Sequence, residues 1–338
     1  MRVAVLGLGS MGRNHVRVWA QIPGVELVGV ADPSRPAVAS ALEGRSIPAF
    51  TSLDELLDSV RPDALSIAVP TTLHEEAAVT AVRRGVHVLL EKPVAPDVEA
   101  GLRIKAAVDA AGVVAMIGHI ERFNPALLEL RRRVSSGAVG TPFQMSARRI
   151  GPFPPRIRDV GVVQDLATHD LDQIRYILDR EVEVLFAQTA QRVHSSHEDL
   201  VNIVGRAQGG VVLNLDVNWL SPRKVRKTVV IGAGGMLVAD SLTQDLFLYE
   251  NNYEDGNWRF IESLRGVSEG NMVRFALRRV EPLRAEIDAF RAAIRERVRP
   301  ACTIDDGLAA LRLAEAVLAS AARTTPSALA TPMAGRAA

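Results

Sequence analysis

One cysteine, Cys302, is all the thiol chemistry this 338-residue chain carries. A single thiol closes neither an internal disulfide nor a redox dithiol, so the fold must be held by its cores, and such usage fits a reducing compartment. An excess of charge of one sign is missing too: forty Lys and Arg stand against thirty-nine Asp and Glu, a formal net charge of +1. That balance offers no broad electrostatic footprint to nucleic acid or an anionic membrane, which leaves a small molecule as the expected partner. No apolar run reaches membrane-spanning length, and the opening MRVAVLGLG lacks the apolar stretch and cleavage site of a secretory leader. The expectation is a soluble, cytoplasmic protein. No internal repeat and no long linker interrupts the chain.

What is present changes character near Gly118. From Met1 to about Ile117, apolar β-branched runs (RVAVLGLG, VELVGVAD, ALSIAVP, VHVLLEKP, VVAMIG) alternate with Ala-rich, charged segments. Strands buried on both faces read as continuous apolar runs, and this alternation implies right-handed crossovers in a parallel sheet. Helices are predicted to start near Ser10, Pro36, Ser52 and Thr72, with Ser52-Leu53-Asp54-Glu55 spaced as a capping box. Beyond Gly118 the pattern predicts a helix over 124–136, a Pro-rich loop, a helix over 163–178, and then alternating strands such as VVLNLDVNWL. Two helices, 282–296 and 304–323, close the chain. A length above the usual single-domain size supports two cores. The predicted fold class is α/β: a Rossmann doubly wound parallel sheet over 1–119, then an α+β domain on a large, mainly antiparallel sheet over 120–325. The tail, 326–338, has the composition of a disordered segment.

Gly7, Gly9 and Gly12 form G-x-G-x-x-G directly after the first strand, with Ser10 and Met11 opening the helix, so that backbone amides and the helix dipole can hold a pyrophosphate. Asp32 ends the second strand twenty-five positions after Gly7, where a carboxylate accepts hydrogen bonds from the adenosine ribose diol. That carboxylate repels a 2′-phosphate and favours NAD over NADP, although Arg35 could pair with such a phosphate. Two further segments lie at strand ends, where open α/β sheets bind ligands: Pro70-Thr71 with His74, and Glu91-Lys92-Pro93. For His74 a local hydrogen bond at a helix start competes evenly with cofactor contact. Lys92 could be a solvated surface charge, but the following proline shapes a turn that aims it at the cleft.

In the second domain Asp165 and His169 are four apart on a predicted helix and would share one face. A histidine near its ordinary pKa suits a general base for an alcohol proton, with the carboxylate orienting it or the substrate. By spacing alone, a helix cap and a satisfied semi-buried histidine explain the pair as well. His194, His197, Glu198 and Asp199 lie close together in a loop, yet no distant partner completes a metal site, and no metal is expected. Arg131–Arg133 are expected to cover the exposed side of a helix.

Together GLGSMGRNH, EKP and DLATHDLD resemble the glucose–fructose oxidoreductase, inositol dehydrogenase and rhizopine catabolism family, over nearly the whole chain. The resemblance implies an NAD-dependent dehydrogenase in which Lys92, Asp165 and His169 line the substrate site as catalytic residues. It departs from many members in carrying Gly161-Val162-Val163-Gln164 ahead of Asp165, where those members have several glycines. GHIERFNPA, RRIGPFPPRIRDVGVVQDLATHDLD and NWLSPRKVRK resemble the branch that oxidises C3 of UDP-N-acetylglucosamine. A diphosphate would account for the cations around the predicted cleft, Arg148, Arg149, Arg156, Arg158, Arg223, Lys224, Arg226 and Lys227. Each taken singly is as compatible with a solvated strand face or a subunit contact. Asn124, Arg149, Arg156 and Lys224 are the expected substrate-binding residues. An inositol or polyol dehydrogenase, and a noncatalytic NAD-binding regulator, are the competing expectations. The resemblance also implies a homo-oligomer, dimer or tetramer, joined through second-domain sheets.

Overall fold

The computed structural model describes residues 1–154, 157, 160–252 and 268–323. Arg156 and Arg158 of the Pro-rich loop, and the tail 326–338, lie outside the described residues.

The first half alternates strand and helix as predicted: β1 (Arg2–Leu6), α1 (Ser10–Trp19), β2 (Glu26–Ala31), α2 (Arg35–Leu42), β3 (Ala49–Phe50), α3 (Leu53–Val60), β4 (Ala64–Ile67), α4 (His74–Arg83), β5 (His87–Glu91), α5 (Val98–Ala111) and β6 (Ala115–Gly118). The six strands are parallel in the order β3-β2-β1-β4-β5-β6. That order reverses between β1 and β4, so the loops leaving their carboxyl ends flank one crevice. Ser52 caps α3 by accepting from the Glu55 amide (3.3 Å), while the Glu55 carboxylate accepts from the Thr51 amide (3.1 Å), which closes the predicted box one residue further out. The helix expected near Thr72 begins at His74, after a 3₁₀ turn over Thr71–Leu73.

The second half opens with α6 (Pro125–Ser135) and continues with β7 (Pro142–Ile150), α7 (Thr168–Leu178), β8 (Val182–Ala190), β9 (Leu200–Ala207), β10 (Val211–Asn218), β11 (Val225–Gly232), β12 (Gly235–Asp240), β13 (Asp245–Asn252) and β14 (Ser268–Arg274). Among the described residues these strands form one eight-stranded sheet, β14-β13-β12-β11-β7-β10-β9-β8, in which the β7–β10 pair is parallel and the other pairs are antiparallel. Period-two alternation divides its faces: Val211, Leu213, Leu215 and Val217 of β10 are buried, while Val212 and Asn214 face out. Helices α6 and α7 pack on the buried face.

The closing helices α8 (Pro282–Glu296) and α9 (Ile304–Arg323) return to join the two halves. Leu283, Ile287 and Phe290 of α8 enter the core of the parallel sheet, where Phe290 meets Trp19 edge to face at 6.5 Å. Leu308 and Leu311 of α9 belong to that same core, whereas Ala314 and Val317 belong to the core under the second sheet. A Cβ at Gly101 would lie 2.6 Å from Leu308 Cδ2, so the small residue lets α5 and α9 approach closely. Among the described residues no helix is long and apolar enough to cross a membrane.

Because Phe290 is fully buried against Trp19, Phe290→Ala should cost roughly 3–5 kcal/mol of unfolding free energy. Denaturant unfolding measures it; a loss below about 1 kcal/mol, the level of an ordinary surface change, would mean that α8 is not part of the first core.

Candidate active site

The three loop glycines meet three different demands. Gly7 has φ +83°, and a Cβ there would lie 2.5 Å from the Ala68 carbonyl oxygen at the end of β4. A Cβ on Gly12 would lie 1.8 Å from the Gly7 carbonyl oxygen, so α1 can start only tight against the loop. A Cβ on Gly9 would meet nothing within 4 Å, and α1 carries no side-chain cap and no acid in its first turn. The open backbone at Gly9, Ser10 and Met11 with an uncapped helix start is the cradle a pyrophosphate requires. Asp32 follows β2, its Oδ2 accepting from the Leu8 amide and its Oδ1 from the Ser34 amide, both at 2.7 Å. It ties the glycine loop to the second strand and leaves acceptor sites for a ribose diol. Arg35 is exposed at the start of α2. The residues present therefore fit a dinucleotide.

The strand-end segments divide. Pro70 and Thr71 follow β4, exposed and half-buried, beside the glycine loop. His74 is turned inward: its Nδ1 faces the Pro93 carbonyl at 2.9 Å and its Nε2 the Val69 carbonyl at 3.1 Å, so it braces the two loops. Burial pulls its pKa below the ordinary value. Glu91 is also directed inward, to His15 Nε2 at 2.9 Å. His74 thus takes the local-bond alternative, and Glu91, expected at the cofactor, also spends its hydrogen bond inside the first domain. Lys92 faces outward across the domain boundary, its ammonium donating to the Asp165 carbonyl (2.5 Å) and carboxylate (3.1 Å).

Asp165 and His169 do not share one α-helical face as predicted. Val163–Ala167 form a π turn ahead of α7, and the wider turn changes the rotation between the two side chains. Asp165 reaches Lys92, while His169 presents its ring edge-on to His119 at 6.3 Å, with no hydrogen bond between Asp165 and His169 among the described residues. The loop holding His194 and Glu198 serves this turn. Glu198 accepts from the Val162 and Val163 amides at 2.9 and 3.1 Å, and a Cβ on Gly161 would collide with its carboxylate. A side chain at Gly161 would thus have to displace the Glu198 carboxylate from the Val163 amide. Asp199 Oδ2 accepts three backbone amides, those of Arg192, Val193 and His194.

Along α7 the acids answer buried cations. Asp170 pairs with Arg149, which also reaches Glu121; although burial opposes its charge, Arg149 is held above the usual arginine pKa by those carboxylates. Asp172 pairs with both sides of the Arg122 guanidinium at 2.8 and 2.5 Å. Arg149, expected to bind substrate, is therefore committed inside the fold, as is Asn124, which caps α6 through the Ala126 amide and donates to the Ser241 carbonyl. Arg148 pairs with Asp216 on the outer face of the sheet, and Lys224 is exposed.

Two residues at the site had gone unassigned. His119, buried after β6 within GHIERFNPA, has an Nδ1 with no hydrogen bond, 3.9 Å from Asp172 Oδ2, and faces His169. Among the described residues Arg226 of β11 donates only to the Ile150 and Val225 carbonyls, and burial beside Arg149 brings its pKa down to about 10. It was one of eight cations in the sequence, and only burial without a carboxylate sets it apart. His169 is pushed well below the ordinary 6.5, first by burial and then by Lys92, Arg149, His119 and Arg226. At neutral pH its imidazole is uncharged and able to accept a proton.

A glycine loop, a lysine and a neutral histidine are the groups a dinucleotide-dependent oxidoreductase would need. Residues 1–119 match the family model described as oxidoreductase family, NAD-binding Rossmann fold, and residues 127–238 match the GFO/IDH/MocA C-terminal domain. The chain belongs to this glucose–fructose oxidoreductase, inositol dehydrogenase and rhizopine catabolism family, and it is a sugar oxidoreductase that uses NAD. Among its relatives, the UDP-N-acetylglucosamine 3-dehydrogenase of Acidithiobacillus ferrooxidans is 31% identical over 94% of this chain and 95% of that protein. A solved structure of that enzyme has a TM-score of 0.81 at 30% identity, covering 95% of this chain and 97% of the other. The inositol 2-dehydrogenase of Streptomyces avermitilis is 28% identical over 86% of this chain and 84% of its own length.

Because cations around a buried imidazole disfavour its protonation, the His169 ring should titrate below 6.5 in NMR of the free protein, its signal assigned with His169→Gln. Arg226→Met removes one cation and should raise that midpoint. A midpoint at or above 6.5 in the wild type would contradict the electrostatics described.

Proposed function

We propose that the protein oxidises a sugar hydroxyl to a ketone, at C3 of UDP-N-acetylglucosamine, giving the UDP-3-keto sugar. The observation that carries the substrate reading is Arg226, a half-buried guanidinium whose partners among the described residues are carbonyls only, close enough to His169 to depress its pKa. A diphosphate supplies the missing counter-charge, with Lys224 and Arg156 as further contacts. The relative at 31% identity acts on that nucleotide sugar by its name. A polyol is the second reading, favoured by the commitment of Arg148 and Arg149 to carboxylates and by the inositol 2-dehydrogenase relative.

The Gly7–Gly12 loop, Asp32, Arg35, Pro70 and Thr71 would hold NAD, which when bound accepts hydride from the sugar carbon. His169, neutral and buried, takes the hydroxyl proton as general base. Lys92 donates to the same oxygen and stabilises its developing negative charge. Asp165, already on the Lys92 ammonium at 3.1 Å, holds that donor in place. His74 and Glu91 shape the crevice from behind.

NADH appearance at 340 nm tests this with UDP-N-acetylglucosamine, UDP-glucose, glucose and myo-inositol. Turnover confined to the acetylated nucleotide sugar is expected. Turnover with inositol alone would replace the substrate and keep the chemistry, while silence with every substrate, once bound and recycled cofactor is excluded, would favour a noncatalytic regulator. Lys92→Met should lower kcat by about a hundredfold or more with NAD affinity retained, and near-normal turnover would remove Lys92 from the mechanism.

We also propose that the outer face of the eight-stranded sheet joins copies of this chain. Phe186 and Val204, opposite each other on β8 and β9, and Val212 on β10 are all more than half exposed there. Contiguous exposed apolar area of this kind marks an association surface. Sedimentation should show a dimer or tetramer that Phe186→Glu with Val204→Arg dissociates; a monomeric wild type would overturn this.

A further inference from the structure

Away from Lys92 and His169, a cavity of about 350 Å³ lies where the end of α7 meets the loop between α8 and α9. Its lining includes Arg122, Arg131, Arg175, Arg180 and Arg299 against three acids, an excess of two positive charges. Three of these guanidinium groups are committed: Arg122 to Asp172, Arg175 to Glu181, and Arg180 to the Gln208 carbonyl. Arg131 and Arg299 are exposed, and among the described residues no carboxylate lies within ion-pair distance of either. Arg131 stacks over the Tyr176 ring at 4.3 Å from its centre, and Arg122 lies 5.0 Å from the centre of that same ring.

Among the described residues Arg131 and Arg299 have no acid and Arg180 only a carbonyl, and beside Arg122 on the ring it shares with Arg131 they make a concave, positive site. We propose that this cavity binds a small phosphorylated metabolite, with Arg131 and Arg299 gripping its phosphoryl oxygens. A phosphoryl group carries about −1.5 to −2 at neutral pH, which the guanidinium groups of Arg131 and Arg299 together offset. The guanidinium fork also fits phosphate oxygens two at a time. The volume is at the small end of ligand cavities, roughly 300–1,000 Å³, and suits a single phosphorylated unit better than a dinucleotide. None of Gly9, Asp32, Lys92 and His169 lines it, so the site is separate from the crevice and stands whether or not the nucleotide-sugar reading does. Arg122 links it to the body of the protein: the same side chain holds Asp172 on α7 and donates to the Ala301 carbonyl in the loop that carries Arg299.

The probe is pyrophosphate, titrated calorimetrically into the full chain at low ionic strength, with NADH and UDP-N-acetylglucosamine saturating so that the glycine loop and the substrate cleft are both filled. One binding event is expected. Arg131→Ala with Arg299→Ala should weaken it by about tenfold or more, while NAD affinity and melting temperature hold. Arg131→Lys with Arg299→Lys keeps the charge without the fork and should fall between the two. No binding to the wild type overturns the proposal. So does binding that survives the alanine pair, or that is lost with Arg226→Met instead, which would place the anion in the substrate cleft.

Discussion

Everything at the site hangs on how α7 is charged. Asp165 just ahead of it, and Asp170 and Asp172 within it, meet Lys92, Arg149 and Arg122, cations that arrive from the end of β5, from β7 and from the segment after β6. A buried ion pair adds little net stability, but breaking one leaves an uncompensated charge that costs about 3–5 kcal/mol. With three such pairs drawn from three elements, α7 has one rotation that satisfies them all. That rotation presents His169 to the crevice.

The same pairs shape the electrostatics. Carboxylates absorb Arg122 and Arg149, and Asp165 answers Lys92, but among the described residues Arg226 has no acid of its own. Positive charge thus surrounds a desolvated imidazole and keeps it neutral, which suits a proton acceptor and an anionic ligand together. The uncapped start of α1 adds the positive end of a helix dipole on the opposite wall. The two walls come from different domains, and α9, buried partly in each core, holds them as one body.

Some of this was legible beforehand and some was not. The parallel sheet, the glycine loop with Asp32 and both closing helices rest on local patterns: apolar runs, glycine spacing and helical periodicity. Lys92 and His169 were legible as a lysine at a strand end and a histidine in a second-domain motif. Spacing alone misjudged their company, because a π turn cannot be told from an α turn by counting residues. It also could not separate Arg149, consumed by Asp170 and Glu121, from Arg226, since both are arginines on adjacent strands, paired at Arg226↔Arg149.

By itself, the sequence determined the two-domain α/β and α+β architecture, the dinucleotide cradle and the chemical types available for catalysis, because periodicity, glycine freedom and residue chemistry act over short stretches of chain. Only the tertiary structure decided which cations lack a carboxylate among the described residues, that Asp165 serves Lys92 and not His169, that His74 and Glu91 face inward, and that His119 faces His169. Those outcomes depend on desolvation and on partners dozens to hundreds of residues away, and burial sets the cost of leaving a charge alone.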